Sequence, residues 1–251
     1  MPYPKAEIML EIRLLEEANG GDSRQAYENL YAAADISQRT SFYLWLMELF
    51  RLQPGGLYLD VSCGRAQLPA LAQARGVPAH GLDLSYNALR LAHPPAQCLV
   101  VGNGETLPYR SSSFTVISNI GSLEHYSDMK AAVREMARVL KPGGRAYVLV
   151  PNTFSLLMNV WTAFRQGRTS IDQQPIQRYA ARLEWQQLLE ENGLAVERTI
   201  KYERERPRTW PDLLYYLRHP KQLARLLLTP FVPLNLAFCF VFVCHKRGLG
   251  D

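Results

Sequence analysis

The sequence is poor in cysteine, and its four cysteines do not form a metal-binding pattern. Cys63, Cys98, Cys239 and Cys244 lie far apart among the 251 residues, without a Cys-x-x-Cys pair or a histidine partner at zinc-finger spacing. A structural zinc site is therefore not expected, and reduced thiols in a cytosolic protein are the simplest interpretation. The first residues also lack a charged segment followed by an apolar one, so no secretory signal is expected.

Long runs of one kind of residue are missing as well. No run of lysine and arginine exceeds two residues, and no nucleic-acid-binding module is recognisable. The most apolar segment, residues 226–243, contains Thr229, two prolines and Asn235, and its unbroken apolar part after Asn235 is only nine residues long. A helix that crosses a bilayer needs about 20 apolar residues. A buried strand therefore fits this segment better than a transmembrane span.

The residues that are present describe a protein with a sizeable core. Hydrophobic residues make up 47% of the chain and charged residues 20%, which excludes a disordered protein. The length allows one large α/β domain, or one domain with an embellishment. The net charge of +5 lies entirely in residues 151–251, with 14 basic and 9 acidic side chains, whereas residues 1–150 carry 14 of each. This excess suits an anionic substrate, a membrane surface or nucleic acid, and it also fits a solvated face.

The hydrophobic pattern predicts helices first and then an alternation of strands and helices. Apolar residues between Ile8 and Leu15, and at helical spacing between Arg39 and Leu52, favour helices over residues 5–50. Short apolar runs then alternate with helix-like stretches, which predicts βαβ units and a mostly parallel, doubly wound sheet. The predicted strands are 57–62, 80–84, 98–101, 114–119, 145–150, 194–202 and 236–246, and the clearest helices are 128–140 and 179–192.

Four consecutive predicted strands end in polar or small residues. The first runs into residues 60–66, the second ends at Asp83, and residues 102–105 and 118–121 follow the third and the fourth. In an open α/β sheet, ligands bind beyond the carboxyl ends of the strands. An acidic side chain at position 83 is placed to accept the hydroxyls of a ribose, and a helix cap is its alternative role. The coincidence of four such strand ends predicts one ligand crevice.

Several motifs occur in a fixed order between Tyr58 and Asn152. They are 59–64 (Leu-Asp-Val-x-Cys-Gly), 81–85 (Gly-Leu-Asp-Leu-Ser), 104–109 (Gly-Glu-Thr-Leu-Pro-Tyr), 113–117 (Ser-Phe-Thr-Val-Ile), 122–125 (Ser-Leu-Glu-His) and 134–144 (Arg-Glu-x-x-Arg-Val-Leu-Lys-Pro-Gly-Gly). This stretch resembles the class I S-adenosylmethionine-dependent methyltransferases, specifically the type 11 group. The resemblance implies a Rossmann-like α/β sheet of seven strands in the order 3-2-1-4-5-7-6 with the last strand antiparallel, and S-adenosyl-L-methionine as cofactor.

The resemblance also implies roles for residues at the strand ends. Residues 60–64 would form the loop under the methionine part of the cofactor, Asp83 would bind the ribose, and Leu84 would pack on the adenine. Asn103 and Gly104 would line the adenine pocket, and Asn119 would lie near the sulfonium. The predicted cofactor-binding residues are Tyr31, Asp60, Ser62, Cys63, Gly64, Asp83, Leu84, Asn103, Gly104, Glu105 and Asn119.

The sequence departs from the family pattern at two places. The glycine-rich loop of the family usually reads Gly-x-Gly-x-Gly, and here Ser62 and Ala66 flank Gly64. Both replacements are small, so we expect binding to survive. Asn103 stands where the family often has aspartate, and its amide oxygen can still accept a hydrogen bond from the adenine amino group. A dinucleotide enzyme is not expected, because the third glycine of that fingerprint is missing.

The acceptor side is described by fewer residues. His125 follows the fourth strand near the expected methyl group, together with Glu124 and Tyr126, and it is the candidate general base; a structural histidine is the alternative. Tyr31 and Tyr27 belong to a predicted lid, with ordinary helix packing as the alternative role. No metal site is predicted.

We divide the chain into a helical lid (1–53), a methyltransferase domain (54–204 and 234–251) and a helical insertion (205–233). The final strand is expected to run antiparallel beside the strand that contains Tyr147. The insertion joins basic residues to bulky apolar ones, and we favour a cap that closes over the acceptor. A segment that rests on a membrane interface is the alternative.

These observations favour an enzyme that methylates a small-molecule, lipid or glycan acceptor, with oxygen as the favoured atom. A catalytically inactive scaffold or regulator that binds S-adenosylmethionine or S-adenosylhomocysteine is the alternative. Methylation of a nucleobase is disfavoured, because residues 119–122 read Asn-Ile-Gly-Ser instead of an Asn/Asp-Pro-Pro-aromatic tetrad. We expect a cytoplasmic protein; peripheral membrane contact, and a monomer or a dimer, are left open.

Overall fold

The computed structural model describes residues 9–13, 23–33, 36–92, 96–171 and 174–248. The strands are β1 (Met9–Arg13), β2 (Tyr58–Val61), β3 (Ala79–Asp83), β4 (Leu99–Val101), β5 (Phe114–Ile120), β6 (Leu140–Pro151), β7 (Ile176–Ala180), β8 (Leu194–Tyr202) and β9 (Cys239–Lys246). The helices are α1 (Ser23–Ala33), α2 (Thr40–Phe50), α3 (Gln67–Gln73), α4 (Tyr86–Arg90), α5 (Met129–Val139), α6 (Trp161–Gln166), α7 (Arg182–Glu191), α8 (Trp210–Arg218) and α9 (Pro220–Leu228). Among the described residues, no helix combines the length and the apolar character that crossing a bilayer requires.

Seven strands form one sheet in the order β4-β3-β2-β5-β6-β9-β8. The neighbouring strands from β4 to β6 pair in parallel, whereas β9 pairs antiparallel with both β6 and β8. Tyr147 lies opposite Val243 in this register. The predicted seven-stranded sheet, its strand order and its reversed last strand are therefore confirmed.

The core lies on both faces of this sheet. Helices α5 and α7 cover one face, where Trp185 is fully buried and its Nε1 donates a hydrogen bond to the carbonyl of Pro151 over 2.8 Å. Helices α2 and α3 cover the other face. Helix α5 begins where the side chain of Asp128 accepts a hydrogen bond from the backbone N–H of Ala131, which satisfies a donor of its first turn. The sheet is thus held rigidly, and its strand ends are fixed relative to one another.

The N-terminal region departs from the predicted helices. Met9–Arg13 is a strand that pairs antiparallel with β7, so the helix predicted over residues 5–50 is wrong in this part. Apolar Leu10 and Ile12 alternate with charged Glu11 and Arg13, which is the period of a strand. The rest of that predicted apolar stretch, including Ile8 and Leu15, lies outside the described residues.

Two further segments refine the predicted element boundaries. Helix α7 begins only at Arg182, because residues 179 and 180 belong to β7 instead of to the predicted helix. The insertion contains α8 and α9, and it is fastened to α2 because the carboxylate of Asp212 accepts a hydrogen bond from the backbone N–H of Ser41 over 2.8 Å. Within the insertion Tyr216 is buried, and its hydroxyl donates a hydrogen bond to the carbonyl of Glu205.

Candidate active site

The carboxyl ends of β2, β3 and β5 open, with the loop after β4, into one cavity of about 870 Å³. A cavity of this size falls within the range of small-molecule and cofactor sites. Eleven of the twelve residues that the sequence predicts for the site lie on its wall, and Asn119 does not. The eleven are Tyr31, Asp60, Ser62, Cys63, Gly64, Asp83, Leu84, Asn103, Gly104, Glu105 and His125.

The loop after β2 turns sharply through three left-handed residues. Ser62, Gly64 and Ala66 have φ angles of 62°, 55° and 57°, so the two residues that replace the family's glycines keep a glycine-like backbone. Each non-glycine residue pays about 1–2 kcal/mol for this conformation. A Cβ atom on Gly64 would lie 2.9 Å from the hydroxyl of Tyr31. Glycine is therefore needed at this position for the close approach of α1.

Asp83 ends β3 beside this loop and is almost completely buried. One carboxylate oxygen accepts a hydrogen bond from the backbone N–H of Gly64 over 2.7 Å, and the other accepts one from Ser85 over 2.9 Å. Burial raises the pKa of Asp83 to about 6, although these two hydrogen bonds lower it in part. A carboxylate offers about four acceptor positions, so Asp83 keeps the capacity to accept hydroxyl donors from a ligand.

Asp60 ends β2 one strand away from Asp83. Its carboxylate accepts a short hydrogen bond from the hydroxyl of Ser118, whose oxygen also lies 2.6 Å from the hydroxyl of Tyr58. Burial raises the pKa of Asp60 to about 7, and the charge of Asp83 acts in the same direction. Two coupled carboxyl groups therefore stand side by side at the floor of the cavity.

Tyr126 crosses the crevice and separates Asn119 from the cavity. Its hydroxyl lies 2.6 Å from the hydroxyl of Ser62 and accepts a hydrogen bond from the side-chain amide of Asn119. A Cβ atom on Gly104 would collide with the same hydroxyl. Asn119 is fully buried, and its Oδ1 has no hydrogen-bond partner within the described part of the chain. Tyr126, which the sequence set beside His125 but not among the cofactor residues, thus joins three loops of the site.

The loop after β4 contributes two residues with structural hydrogen bonds. Asn103 Oδ1 accepts a hydrogen bond from the backbone N–H of Glu105 over 2.9 Å. Glu105 Oε1 accepts hydrogen bonds from the backbone N–H groups of Ser127 and Asp128. Glu105 therefore ties this loop to the segment after β5, and Asn103 is held in one orientation at the wall of the cavity.

Helix α1 lies over the cofactor end of the cavity. Tyr27, Leu30 and Tyr31 line the wall from this side, and burial raises the pKa of Tyr31, so that its hydroxyl stays protonated. The side chain of Glu28 reaches the start of α4, where it accepts hydrogen bonds from the backbone N–H groups of Tyr86 and Asn87 over 2.7 and 2.8 Å. Nothing in the motifs of residues 58–152 signals Glu28, because α1 precedes them in the chain.

His125 lies at the other end of the cavity, with its side chain only 6% exposed. Its Nδ1 lies 2.5 Å from the carbonyl of Ile176, so this nitrogen carries a proton, and its Nε2 lies 3.7 Å from a carboxylate oxygen of Glu124. The carbonyl belongs to β7, next to Arg178, whose guanidinium donates to the carbonyl of Tyr126 and to Glu11. The two-stranded sheet of β1 and β7 therefore positions the histidine.

The wall opposite the cofactor end comes from residues that the motifs do not include. Tyr202 ends β8 and Arg204 follows it, whereas Phe238 directly precedes β9 and Cys239 begins it. The Nε of Arg204 is buried and has no hydrogen-bond partner among the described residues. The wall reaches Arg204 but none of residues 205–233, so the capping role of the insertion stays a prediction.

This combination of sheet order and strand-end cavity defines a class I methyltransferase fold. Residues 59–148 match the family model described as Methyltransferase domain. Within residues 59–148 the chain is therefore similar to methyltransferase domains, and the cofactor of the class I methyltransferases is S-adenosyl-L-methionine.

Individual relatives agree with this assignment at different levels. Demethylmenaquinone methyltransferase of Bacillus mycoides is 32% identical over 151 residues, which cover 56% of this chain and 62% of the relative. A Haloferax volcanii chain solved with the Trm112 methyltransferase activator has a TM-score of 0.63 at 17% identity, over 90% of this chain and 98% of that chain. Geranyl diphosphate C-methyltransferase of Streptomyces coelicolor, solved with S-adenosyl-L-homocysteine, has a TM-score of 0.57 at 17% identity, over 88% and 84%. The two structures show the fold alone, and the chain spans less than two thirds of the curated relatives' length.

The residues of the cavity fit this cofactor. Gly64 and Gly104 leave the backbone bare at two places where a side chain would collide with a tyrosine hydroxyl. Asp60 and Asp83 place two carboxyl groups on the wall of the cavity, and with a pKa of about 6 Asp83 is mostly ionised at neutral pH, which suits a ligand that carries hydroxyl donors.

Proposed function

We propose that this protein transfers a methyl group from S-adenosyl-L-methionine to an oxygen of a small-molecule, lipid or glycan acceptor. The observation that carries the proposal is a single cavity with two differently built ends. One end collects carboxylates and bare backbone between β2 and β3, and the other places His125 and Glu124 beside apolar and aromatic side chains. The first end suits a cationic nucleoside, and the second suits an acceptor that must lose a proton.

At the cofactor end, Asp83 would accept the ribose hydroxyls, and the loop of Ser62 and Gly64 would pass under the methionine part. Tyr126 keeps its proton because burial raises the pKa of its hydroxyl, so it can act as a hydrogen-bond donor there. When bound, the cofactor supplies an already activated methyl group, and the protein's task is alignment and exclusion of water. Helix α1 covers the cofactor end of the cavity and excludes water from it.

At the acceptor end, His125 would take the proton of the attacking hydroxyl. The Ile176 carbonyl holds the proton on Nδ1, so in the neutral ring Nε2 carries the lone pair. Glu124, with an oxygen 3.7 Å from Nε2, stabilises the imidazolium that forms when the ring accepts a proton. The relative in Bacillus mycoides, by its name, acts on demethylmenaquinone, and this supports a small molecule as the acceptor.

The experiment compares His125→Gln with the matched variant His245→Gln, which replaces an exposed histidine on β9. Each protein is incubated with methyl-labelled S-adenosylmethionine and small-molecule and lipid extracts, and labelled products are identified by mass spectrometry. We expect an O-methylated product, a loss of about 10²–10⁴ in kcat for His125→Gln, and unchanged affinity for S-adenosylhomocysteine. No loss of activity would contradict the base role. Binding of the cofactor without transfer to any acceptor would favour the scaffold.

A further inference from the structure

Large apolar side chains that do not line the cavity are exposed in two segments of the chain. They come from residues 154–164 around α6 and from residues 227–231 at the end of α9. Phe164 is 79% exposed and Phe231 81% exposed. The members of this apolar patch are Phe154, Leu156, Val160, Trp161, Phe164, Leu227, Leu228 and Phe231. Soluble monomers rarely expose so many large apolar side chains together, and such patches mark interaction sites.

One hydrogen bond joins the two segments of the apolar patch, and three others hold the second segment to the sheet. The guanidinium of Arg225 on α9 donates to the carbonyl of Leu157, within the turn that leads into α6, over 2.8 Å. Lys201 of β8 donates to the carbonyls of Thr229, Pro230 and Val232. The patch is therefore held in place from the sheet and from the neighbouring helix, and its residues need no rearrangement to meet a partner.

The two stretches of chain that carry the apolar patch are rich in basic residues, of which Arg208 pairs with Glu48. Residues 152–171 contain two arginines and no acidic residue, and residues 206–235 contain five basic residues and one acidic residue. That acidic residue, Asp212, is buried, and it bonds to Ser41 instead of facing solvent. Arg165 lies over the ring of Trp161, with its guanidinium carbon 5.9 Å from the centroid. Aromatic and aliphatic side chains bordered by cations are typical of surfaces that rest on anionic lipid headgroups.

We propose that the apolar patch docks on an anionic lipid bilayer, with its aromatic side chains at the acyl boundary and the surrounding cations on the headgroups. The turn that carries Leu156 and Val160 also carries Met158, which lines the cavity, and Ile171 lines it too while 63% exposed. The docking face is therefore continuous with the acceptor side of the cavity. The docking itself is independent of the proposed methyl transfer, and it would present the cavity to an acceptor held in the bilayer.

The test is flotation with vesicles of phosphatidylcholine alone or of equal parts phosphatidylcholine and phosphatidylglycerol. The double variant Phe164→Ser/Phe231→Ser removes apolar contact, with Leu91→Ser/Leu183→Ser as the control at two other exposed apolar positions. The double variant Arg165→Gln/Lys221→Gln removes two charges, with Arg51→Gln/Arg110→Gln as its control. All changed side chains are exposed, so the fold should persist, and S-adenosylhomocysteine affinity measured on each variant checks it.

We expect the unchanged protein to float with the anionic vesicles and not with the neutral ones. The charge variant should bind about 25-fold more weakly, about fivefold for each removed cation, and the apolar variant at least about tenfold more weakly. Raising the salt to about 1 M, where the Debye length falls to about 3 Å, should release the protein. Absence of flotation at low salt, or equal loss in the controls, would overturn the proposal.

If the protein forms a concentration-dependent dimer and Phe164→Ser/Phe231→Ser abolishes that dimer, the patch binds a second copy of the chain. This result would also overturn the proposal of bilayer docking. Because these variants leave the cofactor end untouched, failure of docking is distinguishable from failure of methyl transfer.

Discussion

Replacing Glu28 by glutamine should loosen the lid and weaken cofactor binding. In the structure, Glu28 Oε1 accepts a hydrogen bond from the N–H of Tyr86, and Oε2 accepts from the N–H of Asn87 and the hydroxyl of Ser85. Burial tends to raise the pKa of Glu28, but these hydrogen bonds outweigh it and lower the pKa, so the group is charged at neutral pH. The carboxylate thus joins α1, which covers the cavity, to the first turn of α4.

The expected loss follows from the donors that glutamine cannot satisfy. A carboxamide has one accepting oxygen, and its NH₂ group would face a backbone N–H of Tyr86 or Asn87. A hydrogen bond to a charged group contributes about 1.5–3 kcal/mol, and we take the lower end because Glu28 is partly exposed. About 1.4 kcal/mol corresponds to a tenfold change in an equilibrium constant. Glu28→Gln should therefore bind S-adenosylhomocysteine about tenfold more weakly.

Titration calorimetry measures this affinity, and hydrogen exchange of α1 reports the opening of the lid. Glu48→Gln is the matched control, because Glu48 is an exposed glutamate on α2 that pairs with Arg208 outside the cavity. If the Glu28 variant and the unchanged protein have equal affinities, Glu28 does not hold the lid over the cofactor. The same conclusion follows if Glu28→Gln and Glu48→Gln weaken binding equally. Faster exchange in α1 with unchanged affinity would show a lid that does not act on the cofactor.

Two other expectations concern pH and the core. Because the pKa of Asp83 is raised to about 6 and binding of ribose hydroxyls needs the ionised form, affinity for S-adenosylhomocysteine should be about tenfold lower at pH 5 than at pH 7; calorimetry of Asp83→Asn should show a shallower profile, whose remaining slope comes from Asp60 with its pKa of about 7. Trp185→Ala empties a fully buried site and leaves the Pro151 carbonyl without its donor, so the free energy of unfolding should fall by about 3–5 kcal/mol. Trp161→Ala, at a position 57% exposed, should change it by less than about 0.5 kcal/mol in the same urea titration.

The central sheet was predictable because each of its elements carries a local signal. Short apolar runs mark the strands, and the handedness of βαβ units leaves few ways to order them. The strand of residues 9–13 was missed because its partner, β7, lies far away in the chain and because five residues give a weak period. The sequence does show apolar Leu10 and Ile12 in alternation with charged residues. The apolar residues around them favour a helix, however, and this favoured a helix over the whole stretch.

The cofactor end was predictable for a related reason. The carboxyl ends of parallel strands meet at one edge, so Asp60, Asp83 and Asn103 had to converge there. The place of Asn119 could not be predicted, because it depends on where the side chain of Tyr126 lies. A sequence shows that a tyrosine follows β5, but only packing decides that its hydroxyl reaches Ser62 and closes Asn119 off from the cavity.

The acceptor end follows a different logic, since the strand ends of the motif region supply only part of it. The residue that defines its chemistry, His125, comes from the motifs, but the carbonyl that fixes its tautomer belongs to β7. Strand β7 is in turn held by β1, through backbone pairing and the contact of Arg178 with Glu11. Loss of that contact should therefore disturb the histidine without touching the cofactor end. The identity of the candidate base is thus local in the sequence, whereas its orientation depends on the pairing of β1, in the lid segment, with β7 of the methyltransferase domain.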